Sequence, residues 1–286
     1  MSQTETVYLD GNYTQKNEAK ISILDRGFLF GDGVYELIPV YNRHIFYIED
    51  HLKRLKGSLN LINIDSSIID DIEIIEIIKD LVSANNYINH HIYIHISRGV
   101  DKTRNHIYAK SCKPTVLIMG ENYLPFSKQD IKTGKSAITE DDYRWLKSNI
   151  KSTSLLANVL IKNKAYDEQA YEALLIRDGY LTEGSASNVF VVNDNVIKTP
   201  TLSNKLLPGI TRKFLTDLIK KHNLEFFECE ISKDELFESD EIFCSSSTNP
   251  VVPITKLDTK LISKEAGPMS MEMYQHAQDF IKEFYS

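Results

Sequence analysis

The chain has 286 residues, 42% of them apolar, enough to bury one large core or two ordinary ones, so two domains of unequal size are expected. Its 33 basic against 40 acidic residues leave a net charge of -7 with no dense basic run, which argues against a nucleic-acid partner. No stretch approaches the roughly 18 apolar residues of a membrane span, and Met1 to Thr6 has neither the basic start nor the apolar run of a secretory leader, so no membrane partner and a cytoplasmic location are expected. Cys112, Cys229 and Cys244 are too few and too widely spaced for a disulfide framework or a CxxC metal pair, and read as small buried side chains.

Thr6 to Tyr13 reads as a strand, an Asp10-Gly11 turn and a partner strand. From Ile23 to Glu36, Gly27, Gly31 and Gly33 predict a tight loop that can bring backbone close to a ligand, without matching GxGxxG or a Walker loop. Val34 to Tyr41 and Ile45 to Ile48 predict two strands. A helix follows, with Asp50 as its N-cap and Leu52, Leu55, Leu59 and Ile62 along one face, which sets Arg54 beside that stripe. A second amphipathic helix is predicted over 68–82, with Ile72, Ile75, Ile78 and Leu81 inward. His91 to Ser97 alternates as a strand with His91 and His95 on one face; lacking a third ligand at suitable spacing, the pair reads as ordinary surface rather than a metal site.

Residues 98–106 form a donor-rich loop and 114–119 return as a strand. The aperiodic stretch 121–133 reads as a linker between a small N-terminal domain, 1–120, and a larger C-terminal one, 134–286. That second half predicts a strand at 135–139, a helix at 154–168, and strands at 173–176 and 189–192. Between the last two lie a hairpin turn at Arg177 to Tyr180 and a polar loop from Leu181 to Asn188. A helix opens at Pro208-Gly209, a strand at 241–244 runs into the hydroxyls Ser245 to Thr248, and Pro268 to Phe284 is a terminal amphipathic helix.

Within Asp142 to Ser152, Lys151 is a candidate for Schiff-base chemistry, which needs an amine that can lose its proton and neighbours that hold the rest of a cofactor. Taken alone it reads better as a solvated lysine in a polar loop, and only its companions shift that reading. The amides after Gly209 offer the free N–H groups and positive dipole end of a helix start, a setting that suits phosphate, and the Ser245 to Thr248 hydroxyls could hold the same group. Singly these are a common helix start and a common solvated loop.

Together the segments are recognisable. Asp25-Arg26-Gly27 with Phe30 to Glu36, His51 to Leu55, Lys151, Thr182 to Ser185, Pro208 to Arg212 and the Ser245 run resemble the fold-type IV pyridoxal-phosphate enzymes, the class IV aminotransferases, through nearly the whole chain. Arg104-Asn105-His106 is similar to the Arg-x-His element of their D-amino-acid aminotransferase branch, and Asp142 to Leu146 to that branch's lead-in to the lysine. The resemblance implies an α+β, two-domain fold: a small N-terminal α/β domain and a larger, β-barrel-like C-terminal α/β domain. It implies pyridoxal 5′-phosphate as cofactor, and transamination between a D-amino acid such as D-alanine or D-glutamate and a 2-oxo acid such as pyruvate or 2-oxoglutarate. The alternatives are a branched-chain L-aminotransferase, an (R)-amine transaminase, or a non-catalytic cofactor-binding or interaction protein.

Residue by residue, the resemblance makes Lys151 the catalytic, cofactor-bearing lysine and Glu183 the partner of the pyridine nitrogen. Arg54, Ile210, Thr211, Ser246 and Ser247 become the phosphate grip, with Leu207 and Ser187 beside the ring. Tyr35, Arg104 and His106 become the trap for the substrate carboxylate, the last two reaching over from the other subunit of a homodimer whose active site lies at the subunit interface. Two departures bear on the stereochemistry: Ala186, which stands where familiar D-amino-acid enzymes carry serine, and the Gly99 to Arg104 loop, read as a residue longer than theirs.

Overall fold

The computed structural model describes residues 5–285, so Met1 to Thr4, part of the stretch read for a leader, lie outside the described residues. The chain divides into two compact units: residues up to Leu124 with Ile150–Leu155, and Pro125–Asn149 with the residues from Leu156 onward.

In the first unit β1 (Thr6–Leu9) and β2 (Asn12–Gln15) form the expected hairpin, closed by Asp10 and Gly11, both at positive φ. The glycine-rich stretch, expected as a loop, holds a short helix, α1 (Arg26–Phe30). Asp25 caps it by accepting from the Gly27 N–H at 2.7 Å, and Gly31 ends it in the left-handed region at φ 64°, so the closely spaced glycines terminate a turn of helix rather than prevent one. β3 (Gly33–Tyr41) and β4 (His44–Ile45) follow. The predicted second strand stops early because Tyr47 takes left-handed backbone, φ 52° and ψ 39°, and starts α2 (Ile48–Leu61). Asp50 is therefore not the cap. It lies with Glu49 in the first turn, where acids meet the positive end of the helix dipole.

After a 3-10 turn at Ser66–Ile68, α3 (Asp71–Ala84) starts at Asp70, whose side chain accepts from the Ile72 and Glu73 N–H groups. The later start goes with a different buried face: Ile74, Ile77, Ile78 and Leu81 face inward, whereas Ile72 is 76% exposed. The isoleucines are dense enough to offer two stripes at helical spacing, and packing chooses between them. β5 (His90–Ser97) and β6 (Thr115–Asn122) complete a six-stranded antiparallel sheet in the order β2-β1-β6-β5-β3-β4. β5 is an interior strand, and His91 is buried against Tyr123, ring centroids 4.3 Å apart, instead of lying on the surface. Val34, Ile38, Leu55, Ile78, Ile94 and Ile150 share the core of this unit.

The stretch 121–133 contains the end of β6 and a helix, α4 (Lys128–Thr133), capped reciprocally by Ser127 and Asp130. The second unit continues through β7 (Lys135–Asp141), α5 (Leu156–Asp167), β8 (Glu172–Arg177), β9 (Tyr180–Gly184), β10 (Asn188–Asn193) and β11 (Val196–Pro200). Then come α6 (Ile210–Lys221), β12 (Phe226–Cys229), α7 (Lys233–Glu238), β13 (Glu241–Ser245), β14 (Val252–Leu257), β15 (Lys260–Leu261) and α8 (Pro268–Phe284). Its sheet runs β12-β11-β10-β13-β14-β7-β8-β9, with β15 on β14, and β7 pairs parallel to both of its neighbours.

The predicted polar loop from Leu181 to Asn188 is half strand. Leu181 to Gly184 belong to β9 and are buried, the polar ones among them paying for burial with partners inside the unit. Leu174, Val189, Val191, Ile242, Cys244 and Ile254 form the core beneath the sheet. Cys244 is the one cysteine buried as expected; Cys112 and Cys229 are partly exposed. Among the described residues no helix is long and apolar enough to cross a membrane.

Candidate active site

In the first unit, Lys151 is seated by backbone. The Tyr35 N–H donates to the Lys151 carbonyl at 3.0 Å, the Thr153 N–H to the Gly33 carbonyl at 3.0 Å, and the Lys151 N–H to Ser58 Oγ at 3.3 Å. A segment distant in sequence is thus stitched to the start of β3, and its lysine stands with Nζ 4.2 Å from the centre of the Tyr35 ring. Arg54, on α2, is held by the buried Glu36 of β3: Nε donates to Oε2 at 2.9 Å and Nη2 to Oε1 at 2.6 Å. His51 Nδ1 lies 3.1 Å from Oε1, so it carries the proton and donates. Burial would raise the Glu36 carboxyl, but the charge of Arg54, with His51 behind it, holds it well below the ordinary carboxylate range. Burial lowers His51 in turn, against the pull of Glu36, which favours the neutral ring.

Arg104 and His106 lie on the exposed loop between β5 and β6. Both pack on Phe30, the Arg104 guanidinium 5.2 Å and the His106 ring 5.3 Å from its ring centroid, while Tyr35 packs against Tyr93 at 5.7 Å.

In the second unit, Glu183 on β9 is buried among donors. Arg144 Nη1 donates to its Oε1 at 2.6 Å, while the Leu207 N–H at 3.0 Å and Asn188 Nδ2 at 3.3 Å donate to Oε2. Arg144 is itself forked onto Asp142, Nε to Oδ1 at 2.8 Å and Nη2 to Oδ2 at 3.0 Å, and Thr182 Oγ1 donates to the same Oδ2 at 2.9 Å. Burial pushes the Glu183 carboxyl up to about 7, and Arg144 works against that rise. The groups hydrogen-bonded to Glu183 are all donors, which favours the anion, while burial and the nearby Asp142 charge work the other way.

Asn188 also donates to the Leu207 carbonyl at 3.0 Å, and a Cβ at Gly209 would lie 2.0 Å from its Oδ1, so the start of α6 is packed directly on Asn188. Asn188 pairs in register with Ser245, where the hydroxyl run begins. Glu183, Leu207, the Ile210 and Thr211 end of α6 and the first of those serines thus gather around one asparagine. Beyond Ser245, Ser246 Oγ and Thr248 Oγ1 are hydrogen-bonded at 2.8 Å, and Ser247 is partly exposed. Ser187 gives its hydroxyl to the buried Glu172 at 2.8 Å, and Ser185 donates to the same carboxylate.

These donor sets fit pyridoxal phosphate. Gly209 starts α6 with no side-chain cap, leaving its first amides without a side-chain acceptor, and Ser245 Oγ is buried with no hydrogen-bond partner among the described residues. A carboxylate set among donors, as Glu183 is, has the chemistry to face a protonated ring nitrogen. Glu36, Asp142, Arg144, Glu172 and Asn188 received no role from sequence reasoning. The available signal was charged or amide side chains inside otherwise apolar strand and lead-in segments, which need partners once buried.

The family model for amino-transferase class IV matches residues 33–257. The D-alanine aminotransferase of Bacillus licheniformis is 39% identical over 278 residues, 96% of this chain and 96% of that relative. The D-alanine aminotransferases of Listeria monocytogenes serotype 1/2a (strain 10403S), 36% identical with 94% of each chain covered, and of Staphylococcus aureus (strain N315), 35% identical with 97% and 98% covered, are similar too. Among solved structures, the branched-chain amino acid aminotransferase of Escherichia coli superposes with a TM-score of 0.89 at 22% identity, covering 98% of this chain and 95% of that one. The branched-chain aminotransferase of the thermophilic archaeon Thermoproteus uzoniensis, solved with norvaline, gives 0.86 at 22%, covering 98% of this chain and 96% of that one. At such identities the likeness establishes the fold, α+β fold type IV, and nothing finer.

Proposed function

The chain belongs to the class IV amino-transferases, and on that footing we propose that it moves an amino group between a D-amino acid, such as D-alanine or D-glutamate, and a 2-oxo acid, such as pyruvate or 2-oxoglutarate, using pyridoxal 5′-phosphate. The observation that carries the D-amino-acid reading is the similarity, over nearly the full length of both chains, to D-alanine aminotransferases at 35–39% identity.

When bound, the cofactor supplies an electron sink for the pair left on the substrate Cα after its proton departs. Lys151 would hold the cofactor until the substrate amine displaces it, and its freed Nζ would then carry the proton between Cα and C4′. Glu183 keeps a proton on the ring nitrogen, supported by Arg144 at 2.6 Å and Asn188 at 3.3 Å. Arg54, the Ile210 and Thr211 amides, Ser246 and Ser247 grip the phosphate, and Leu207 and Ser187 lie beside the ring. Tyr35, Arg104 and His106 dock the substrate carboxylate. With the lysine on one ring face, the docking position decides which enantiomer presents its Cα–H to Nζ.

Arg104 and His106 do this for a second copy of the chain in a homodimer. The exposure of their loop, with Ile107 80% exposed, supports that reading, as does an apolar face on α5 at Leu156, Val159 and Leu160. Three free cysteines suit the reducing cytoplasm as the place of action.

The test mixes purified holoenzyme with D-alanine and, separately, with L-leucine, and follows the visible band of the lysine-bound cofactor. The band should disappear with D-alanine alone and be missing altogether from Lys151→Ala. Loss with L-leucine alone would keep the lysine's role and transfer the enzyme to branched-chain substrates.

A further inference from the structure

The loop that carries Arg104 and His106 is exposed, yet it is anchored from below by one buried side chain. Arg26, the first residue of α1, is 3% exposed. Its Nη1 donates to the Asn105 carbonyl at 2.5 Å and its Nη2 to the His106 carbonyl at 3.1 Å, two consecutive backbone oxygens of the loop. Its Nε donates to Asp32 Oδ2 at 2.9 Å, so the charge is balanced by the protein itself.

Asp32 is shared. Arg98, at the foot of the loop, forks onto it through Nε at 2.8 Å and Nη2 at 2.9 Å, and also donates to the Ile62 and Asn63 carbonyls at 2.7 and 3.1 Å. Tyr108, on the far side of the loop, lies over Arg98 at 3.8 Å, and Phe30 sits between Arg26 at 4.8 Å and Arg104 at 5.2 Å. Only a planar guanidinium spans this arrangement, with one edge on a carboxylate and two separate N–H groups on successive carbonyls. An ammonium offers a single point of attachment.

We propose that Arg26, fixed by Asp32, is a positioning residue for substrate specificity: it holds the Asn105–His106 backbone so that the Arg104 and His106 side chains are presented to the substrate carboxylate. This rests on the reading that those two side chains dock that carboxylate. An exposed loop of polar residues otherwise samples many conformations, and a docking group that must first be ordered binds more weakly by the cost of ordering it. Arg26 removes that cost before substrate arrives. Its influence falls on carboxylate binding and therefore on KM, while the proton transfer at Lys151 keeps its rate.

The experiment is a double-mutant cycle in the holoenzyme. Arg26→Gln, Arg104→Ala and the double variant are assayed for kcat and KM with D-alanine, each checked for the visible cofactor band. Arg26→Gln should raise KM roughly tenfold, the scale of one lost charge-assisted hydrogen bond, with kcat within about twofold. In the Arg104→Ala background the same change should raise KM by clearly less than tenfold, because only His106 is then left for the anchored backbone to present. Arg26→Lys keeps the charge opposite Asp32 and should show the same rise in KM, so the cycle stands on that variant if Arg26→Gln does not fold. An unchanged KM in the Arg26 variants, or a rise that adds in full to that of Arg104→Ala, would overturn the proposal. An unchanged KM in Arg104→Ala itself would instead bring down the carboxylate reading on which it rests.

Discussion

Glu36, Asp142 and Glu183 are buried carboxylates, and each meets an arginine: Glu36 meets Arg54, and the other two share Arg144. A buried charge without a partner is severely penalised, so each pair is held together by its own desolvation as much as by attraction. For Glu36 the consequence is measurable. Its folded-state pKa lies below the ordinary glutamate value of 4.5, so the pair's contribution is fully present above about that pH and is lost as the pH falls through it toward the folded value. Glu36→Gln should therefore cost about 3–5 kcal/mol at neutral pH, the range for breaking a buried pair from one side, read from urea midpoints. The gap to the parent should narrow in acid. A gap that stayed constant below pH 4.5 would mean that Glu36 is not the titrating partner.

At the scale of elements, the start of α6 shows how a helix terminus is prepared for an anion. Gly209 supplies no capping side chain, and its missing Cβ makes room for Asn188, whose Nδ2 is tied to the Leu207 carbonyl at 3.0 Å and to Glu183 at 3.3 Å. A methyl group there would lie 2.0 Å from Asn188 Oδ1, an atom with little freedom to retreat. Gly209→Ala should destabilise the fold by about 1–3 kcal/mol through overpacking and weaken phosphate retention. Denaturant midpoints and the fraction of cofactor kept through gel filtration read the two effects separately. Parent-like values in both would show that Asn188 moves freely and does not organise the region. Here α6 was legible from Pro208-Gly209 and its apolar spacing, whereas its tie to Glu183 was not, because Asn188 and Leu207 are joined only by folding.

At the scale of the whole molecule, Leu156, Val159 and Leu160, 72%, 51% and 56% exposed, fall on one side of α5 at the spacing of a packing face. The second copy of the chain proposed above would cover it. Leu160→Asp places a charge in that contact and should shift sedimentation from dimer to monomer, with D-alanine turnover falling in step, since Arg104 and His106 would then serve no partner site. A monomeric parent protein, or a dimer unaffected by the charge, would remove α5 from the interface.

What the sequence by itself determined is whatever depends on neighbours along the chain. The Asp10-Gly11 hairpin, the β3 alternation and the α6 and α8 spacings were readable because turn geometry, pleat and helical period are local properties. The tertiary structure decided the rest. Thr182 and Glu183 read as loop on polarity and are strand, because their partners Asp142 and Arg144 lie 40 and 39 residues away. The inward face of α3 was settled by packing between two plausible stripes, and the anchoring of the Arg104 loop depends on Arg26, 79 residues earlier than Asn105. Charge pairs and core faces are selected by contacts made only once distant segments meet, and such contacts leave no period in the sequence.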